Sequence, residues 1–337
     1  MRARCAFALL YLSVALSARA QDGGAAGAFV RLSWGARALA LGDALVAVPW
    51  GVVSGVHNPA LLPSSPGQIA GAFAALLPLD RQLMGVFFQA PLRPSAGMMA
   101  SLVQAGVEGI DGRDGSGYHT EWLGVREQRL YFGFGYRAGP RAAFGVGFSF
   151  SRNQLHASIP APSTLGVDAG LLLEAAPNWY LGVSVADLLA RYSWDTANLY
   201  GSEGNTLTDR FPLRLRLGSA WRPGGNWMIA TALEARLYRA QRQWVEFVVQ
   251  EGTPVLISRQ QGEWVRTLRW SGGIEYTWPE GLIARAGLQA EPGGWRPAAG
   301  FGLHRSLGAL WIETAYAAGW DVPIGLLSHR IEVAVRF

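Results

Sequence analysis

The stretch Arg129–Ser151 reads RLYFGFGYRAGPRAAFGVGFSFS. In its first half Leu130, Phe132, Phe134 and Tyr136 take every second place, opposed by Arg129, Gly133, Gly135 and Arg137. In its second half Phe144, Val146, Phe148 and Phe150 do the same, opposed by Gly145, Gly147, Ser149 and Ser151. Successive side chains of a strand point to opposite faces, so each half is a strand with one large apolar face and one face of glycine, hydroxyl or charge. Between them, 138–141 carries the Gly and Pro of a tight turn.

The pattern recurs along the chain. Phe211, Leu213, Leu215, Leu217 and Trp221 oppose Arg214, Arg216 and Gly218, and Leu268, Trp270, Ile274, Tyr276 and Trp278 oppose Arg269, Ser271, Gly273 and Glu275. At the end, Ile331, Val333, Val335 and Phe337 oppose Arg330, Glu332, Ala334 and Arg336. Reading outward in this way predicts about fourteen strands, near 68–77, 81–92, 97–107, 127–138, 142–154, 165–175, 179–188, 210–222, 226–238, 266–278, 281–291, 296–305, 309–319 and 328–337. Most are close to the roughly 9 to 11 residues with which a tilted strand crosses hydrocarbon.

The connections sort themselves. Every second one is tight (91–96, 138–141, 175–178, 222–226, 279–280 and 305–307), and those between are mostly long, as at 108–126, 155–164, 189–209 and 239–265. A soluble exported β-protein, the alternative fold, has no reason for this regularity. The expected fold is therefore all-β: a transmembrane antiparallel β-barrel, closed so that every backbone amide is paired, with both termini on the side of the short turns. Trp179, Trp221, Trp227, Trp278, Trp295 and Trp320 lie near predicted strand ends, where an interfacial belt belongs.

Composition agrees with this. Half the residues are hydrophobic, mean hydropathy is +0.14, and no apolar run after the first twenty residues is long enough for a transmembrane helix. Residues 1–20 have the layout of a secretory signal: Arg2 and Arg4, an apolar run from Ala6 to Leu16, then Ala18-Arg19-Ala20 before Gln21. Cys5 is the only cysteine, so cleavage leaves neither disulfides nor thiolate metal sites. Cleavage also removes Arg2, Arg4 and Arg19, which leaves 26 basic residues against 24 acidic and a net charge of only +2; nucleic acid is not an expected partner.

Residues 21–67 do not alternate. Their compact apolar stretch Ala36–Val48, broken only by Arg37, Gly42 and Asp43, would form a short helix apolar nearly all round, which must be buried. Lying before the first strand, it can fill the barrel mouth as a plug; a disordered N-terminal arm is the alternative. The expected organisation is signal peptide 1–20, plug or hatch 21–67 and barrel 68–337.

Gly35-Ala36-Arg37-Ala38-Leu39-Ala40-Leu41-Gly42-Asp43-Ala44, then Val46-Ala47-Val48 and Asn58-Pro59-Ala60-Leu61-Leu62, resemble the start of mature FadL-like outer-membrane proteins, most closely their PorV/PorQ-type branch. The resemblance implies a fourteen-stranded barrel with an N-terminal hatch. In fatty-acid-transporting members a hydrophobic molecule passes the hatch, whereas PorV-type members look like anchors serving type IX secretion. A chain ending on Phe337 also resembles the signal read by the barrel-insertion machinery. Expected partners are outer-membrane lipid, that machinery, and either a hydrophobic ligand or secretion-system proteins.

No catalytic constellation emerges, and neither an enzyme activity nor a cofactor or metal is expected. His57 lies in the plug, His119 and His156 in loops, and His304 and His329 at strand ends, without zinc-ligand or triad spacing. Asp111, Asp114 and Glu121 stand on a glycine-rich turn that could suit calcium, but the spacing is incomplete and a solvated loop is the simpler reading. The inward face is more informative. Arg129, Arg137, Arg214, Arg216, Arg236, Arg269, Arg285, Arg330 and Arg336 face Asp168, Glu174, Glu234, Glu275, Glu313 and Glu332, either as charge pairs laced across the interior or as a path for anionic head groups. Within the plug, Asn58, Pro59 and Ala60 are expected at the fixing turn, and Arg37 and Asp43 as polar contacts with the wall.

Overall fold

The computed structural model describes residues 26–52, 54–156, 158–250, 253–322 and 325–337. The expected signal peptide lies outside them. Sixteen strands follow in order: β1 (Ile69–Leu77), β2 (Arg81–Leu92), β3 (Ala96–Arg113), β4 (His119–Arg137), β5 (Ala142–Gln154), β6 (Ser163–Ala176), β7 (Trp179–Leu188), β8 (Arg191–Asp195), β9 (Thr206–Arg210), β10 (Leu213–Trp221), β11 (Trp227–Gln250), β12 (Thr253–Thr277), β13 (Leu282–Glu291), β14 (Gly294–Leu307), β15 (Leu310–Asp321) and β16 (Leu326–Arg336).

Fourteen of these, all but β8 and β9, close into a ring in chain order, with β1 pairing β16 from Ile69↔Arg336 to Leu76↔His329. Every pairing is antiparallel. Closure removes both sheet edges, so the backbone donors and acceptors of the wall are met within the wall. The alternation becomes a division between faces: on β5, Phe148 is 55 % exposed and its neighbour Ser149 only 2 %. Phe132, Phe134, Leu217, Trp270 and Ile331 share the exposed outer face. Water would oppose so continuous an apolar exterior, whereas hydrocarbon solvates it, which makes this a transmembrane barrel.

Aromatic rings gather at the rims. At the short-turn end Trp179 pairs with Trp221 across β7 and β10, and Tyr276 lies between Trp227 and Trp278, with ring centroids 4.6 Å apart in both contacts.

Three expectations need correction. Within the expected loops, 108–113, 119–126, 239–250 and 253–265 are extensions of the wall strands. β3 and β4 continue past their last pairings with β2 and β5, Gln82↔Gly106 and Arg126↔Gln154. β11 and β12 run for 24 and 25 residues and pair with each other as far as Gln250↔Thr253. Second, the connection 189–209 holds the separate two-stranded sheet of β8 and β9 and a short helix, Ala197–Tyr200. Third, Phe211 precedes β10 rather than sharing its outer face; it is buried, with its ring 5.0 Å from that of Tyr192.

Candidate functional site

Residues 26–52 and 54–67 run inside the ring. They contain three 3₁₀ turns, at Ala28–Arg31, Ser54–Val56 and Pro59–Ser64, and one short helix, Ala36–Ala40, all of whose residues are buried. No short helix of this kind is stable alone in water. The wall holds it, and the inward glycines of the strands give it room. A Cβ on Gly170 of β6 would overlap Asn58 Oδ1, and one on Gly287 of β13 would overlap the backbone nitrogen of Gly42. These two strands lie on different sides of the ring, so the segment is seated across the lumen.

Asn58 begins the Pro59–Ser64 turn. Its Oδ1 accepts from Ala60 N at 3.0 Å, and its Nδ2 donates to Val46 O at 2.9 Å and to Leu171 O of the wall at 3.0 Å. Pro59 at the first position lacks the N–H that would go unmet there. One side chain thus caps a turn, ties two parts of the inner segment together and fastens both to β6.

Charges make the other fastenings. Arg37 reaches Glu275 of β12 through Nε (2.9 Å) and Nη2 (3.2 Å), its backbone N donates to Glu332 of β16 (3.2 Å), and its Nη1 donates to Trp50 O. Glu275 also receives Arg285 (2.8 Å), which continues to Glu313 (2.6 Å). On the far side Asp43 faces His57 at 3.3 Å and Arg269 at 3.4 Å. Burial pushes the Asp43 carboxyl up, but the His57 hydrogen bond and the charges of Arg269 and Arg216 outweigh it and hold the carboxyl at about 2. Glu234 gathers Arg216 (2.6 Å) and Arg236 (2.7 Å), while Asp187 is clamped between Arg129 (2.7 Å) and Arg214 (2.6 Å). Arg214 donates onward to Val30 O of the inner segment at 3.1 Å.

The lumen residues read from the sequence are therefore on the inward face. Arg129, Arg214, Arg216, Arg236, Arg269, Glu275, Arg285, Glu313 and Arg330 are all buried, and Arg137 reaches Ser64 Oγ of the inner segment at 3.1 Å. Arg336 lies instead at the rim over the Trp311 ring, and Phe337 is exposed beside it with its N–H bound to Gln68 O. Asp111 is held by Arg113 and His119, each at 2.6 Å. No group of three His, Cys, Asp or Glu among the described residues could hold a metal.

Between the inner segment and the wall lies a cavity of about 30 Å³, bounded by Val30, Leu32, Trp34, Asp43, His57 and the arginines 129, 214, 216 and 269 among others. This is space for one or two waters.

No protein-family model and no curated protein matches the sequence. Solved structures do match. The Pseudomonas putida toluene transporter TodX superimposes with a TM-score of 0.61 at 14 % identity, over 90 % of this chain and 97 % of that one. The fold is of FadL type. The Ralstonia pickettii toluene transporter TbuX gives 0.58 at 10 % identity over 90 % and 98 % of the two chains, and a Pseudomonas aeruginosa FadL homologue gives 0.58 at 12 % over 91 % and 98 %. At these identities the likeness is one of fold.

Within this FadL-type barrel several contacts escape a reading by period. Asp187 is invisible to it because β6 and β7 slip register between Val167 and Ala169, and Asp187 takes φ 62°; after a bulge the faces exchange. Tyr131, whose OH donates to Gly55 O at 3.2 Å, carries an inward signal in its place between Leu130 and Phe132. The Trp50 ring, 3.9 Å beneath the Arg222 guanidinium, carries no such signal.

Proposed function

We propose that the protein is a FadL-like channel of the outer membrane that binds or passes hydrophobic small molecules, with residues 21–67 as its hatch. One observation carries the reading: a lipid-facing barrel whose interior is filled by its own N-terminal segment, in the fold of proteins named as toluene transporters. The cavity of about 30 Å³ beside Asp43 and Arg269 holds no aromatic molecule, so passage by way of it requires the hatch or the wall beside it to shift. In this reading residues 1–20 direct export, the short turns face the periplasm, and Phe337 serves assembly.

The experiment is uptake into liposomes bearing the purified barrel, with toluene and a long-chain fatty acid as probes. Uptake above that of empty liposomes, altered by Arg37→Met, supports the reading; rates equal to those of empty liposomes overturn it.

One feature favours a second reading, a PorV/PorQ-like partner in type IX-like secretion or surface attachment that transports nothing. Past Leu213↔Leu237, the last pairing of β11 with β10, residues 238–250 continue with β12 alone. At about 3.4 Å per residue this ribbon stands roughly 40 Å beyond the wall, a reach suited to holding a protein. Co-purification of an exported protein that depends on the ribbon, together with no uptake, would decide for it.

A further inference from the structure

The hatch is fastened unevenly along its length. Residues 36–48 are held by buried ion pairs, Arg37 with Glu275 at 2.9 Å and Asp43 with Arg269 at 3.4 Å. Residues 58–65 are held by hydrogen bonds to the wall, from Asn58 Nδ2 to Leu171 O and from Gln89 Nε2 to Ser65 Oγ, each at 3.0 Å. Between them Pro49-Trp50-Gly51-Val52 crosses the short-turn mouth without helix or strand. On one side the Trp50 ring lies 3.9 Å beneath the guanidinium of Arg222, in the turn between β10 and β11, and edge-on to Tyr180 of β7 at 5.3 Å. On the other, Gly51 O is 3.5 Å from Gln89 Nε2 of β2, a long hydrogen bond. The bond from Arg37 Nη1 to Trp50 O is internal to the hatch.

These holds differ in strength. A buried ion pair resists separation because each charge is left uncompensated, whereas a half-buried ring and guanidinium meet water on parting, so their contact yields first. Residues 49–52 carry no charge, and the ring is their side-chain hold on this side of the wall. Among the described residues Arg222 makes no ion pair, and the Trp50 ring is what it rests on. Gly51 takes φ 95°, where a Cβ would overlap the Arg37 guanidinium; glycine there lets the chain turn without strain beside the fixed carbonyl of Trp50.

We propose that Trp50 is the latch of a strap, residues 49–52, that closes the short-turn mouth of the lumen. When the ring leaves Arg222 and Tyr180 the strap turns at Gly51, while 36–48 and 58–65 keep their places on the wall. Val52 belongs to the same buried apolar cluster as Ile69, Phe87 and Met99 of β1, β2 and β3, so the turn uncovers an apolar surface suited to a neutral hydrophobic molecule. The motion belongs to the barrel by itself; its use as the way in or out rests on the transport reading.

The test is thiol labelling of the full detergent-solubilised protein, with Cys5 replaced by serine, by a charged, water-soluble maleimide. Val52→Cys puts the thiol on the strap, at a position 3 % exposed, and Ala38→Cys puts it on the anchored part, at a position 1 % exposed. Adding Trp50→Leu or Arg222→Gln should speed labelling at 52 about tenfold, with the rate at 38 unchanged and the heat-shifted mobility of a closed barrel retained. Trp50→Phe and Arg222→Lys keep the ring and the cation and should keep the slow rate. Equal rates at 52 with and without the latch overturn the proposal. So does a rise at 38 in step with 52, which means that the hatch leaves the wall as a whole. Toluene uptake into liposomes separates this from the transport reading: faster labelling at 52 with no uptake by any variant keeps the strap and removes its use in passage, whereas uptake by the unaltered protein with no change in labelling removes the strap and keeps transport.

Discussion

Arg37 and Glu275, 238 positions apart in sequence, meet through two parallel hydrogen bonds, Nε to Oε2 at 2.9 Å and Nη2 to Oε1 at 3.2 Å, both side chains being buried. The pair joins the hatch to the wall, and Arg285 shares the same carboxylate at 2.8 Å. Breaking a buried pair by removing one partner leaves an uncompensated charge, at a cost of about 3–5 kcal/mol.

Glu275→Gln should therefore destabilise the folded barrel by more than Arg37→Met, since it strips Arg37 of its anion and takes from Arg285 one of two, Glu313 remaining at 2.6 Å, whereas Arg37→Met leaves Glu275 its second partner. Urea unfolding in detergent or lipid, followed by tryptophan fluorescence, gives the order. Equal loss from the two variants would mean that Arg285 does not share Glu275.

The glycine seat gives an expectation that separates hatch from wall. Gly170→Val places atoms where Asn58 Oδ1 sits, and Asn58 holds Val46 and Leu171 together. The barrel should still close and show its heat-dependent gel mobility, while the hatch becomes open to protease added from the short-turn side. Protection equal to that of the unaltered protein would show that the hatch does not depend on this seat.

Acid should loosen the hatch through Asp43. Its folded-state carboxyl titrates at about 2, below the ordinary 3.8, so its contribution is complete above pH 3.8 and is lost as pH falls through 2. The difference corresponds to about 2 kcal/mol. Between pH 4 and 2 the unaltered protein should lose that much more stability than Asp43→Asn, as measured by unfolding midpoints at matched ionic strength. Parallel curves for the two proteins would remove Asp43 from the account.

The long ribbon should be dispensable to the barrel. Residues 240–250 pair with 253–263, and Arg239 lies opposite Trp264, so an Asn-Gly turn can join those two positions. The shortened chain should fold to the same heat-shifted species. Failure to do so would give the ribbon a part in closure.

Much of the wall is legible in the sequence because its determinants are local. A residue such as Phe148 is outward because Ser149 is inward, and nothing farther away is needed to say so. The ribbons are less legible: Val248-Val249 and Val255-Leu256-Ile257 break the period of two, so that 239–265 resembles a loop although 239–250 pairs with 253–264. Phe211 continues the alternation of Leu213, Leu215 and Leu217 yet lies before Pro212 and outside β10, and turns inward because Gly27 and Tyr192 offer it a place. The hatch is legible as buried but not as seated. Its partners, such as Gly170 for Asn58 and Glu275 for Arg37, stand more than a hundred residues away, and only closure of the ring brings them near.

The central claim is that lipid, not protein, receives the outer face of the strands, and single cysteines along β5 test it most directly. With Cys5 replaced by serine the chain has no other cysteine, so cysteines at 144, 146, 148 and 150 report alone in liposomes. The account expects them to react with a membrane-soluble maleimide and to resist a charged, water-soluble one. Ready labelling of all four by the water-soluble reagent would contradict it.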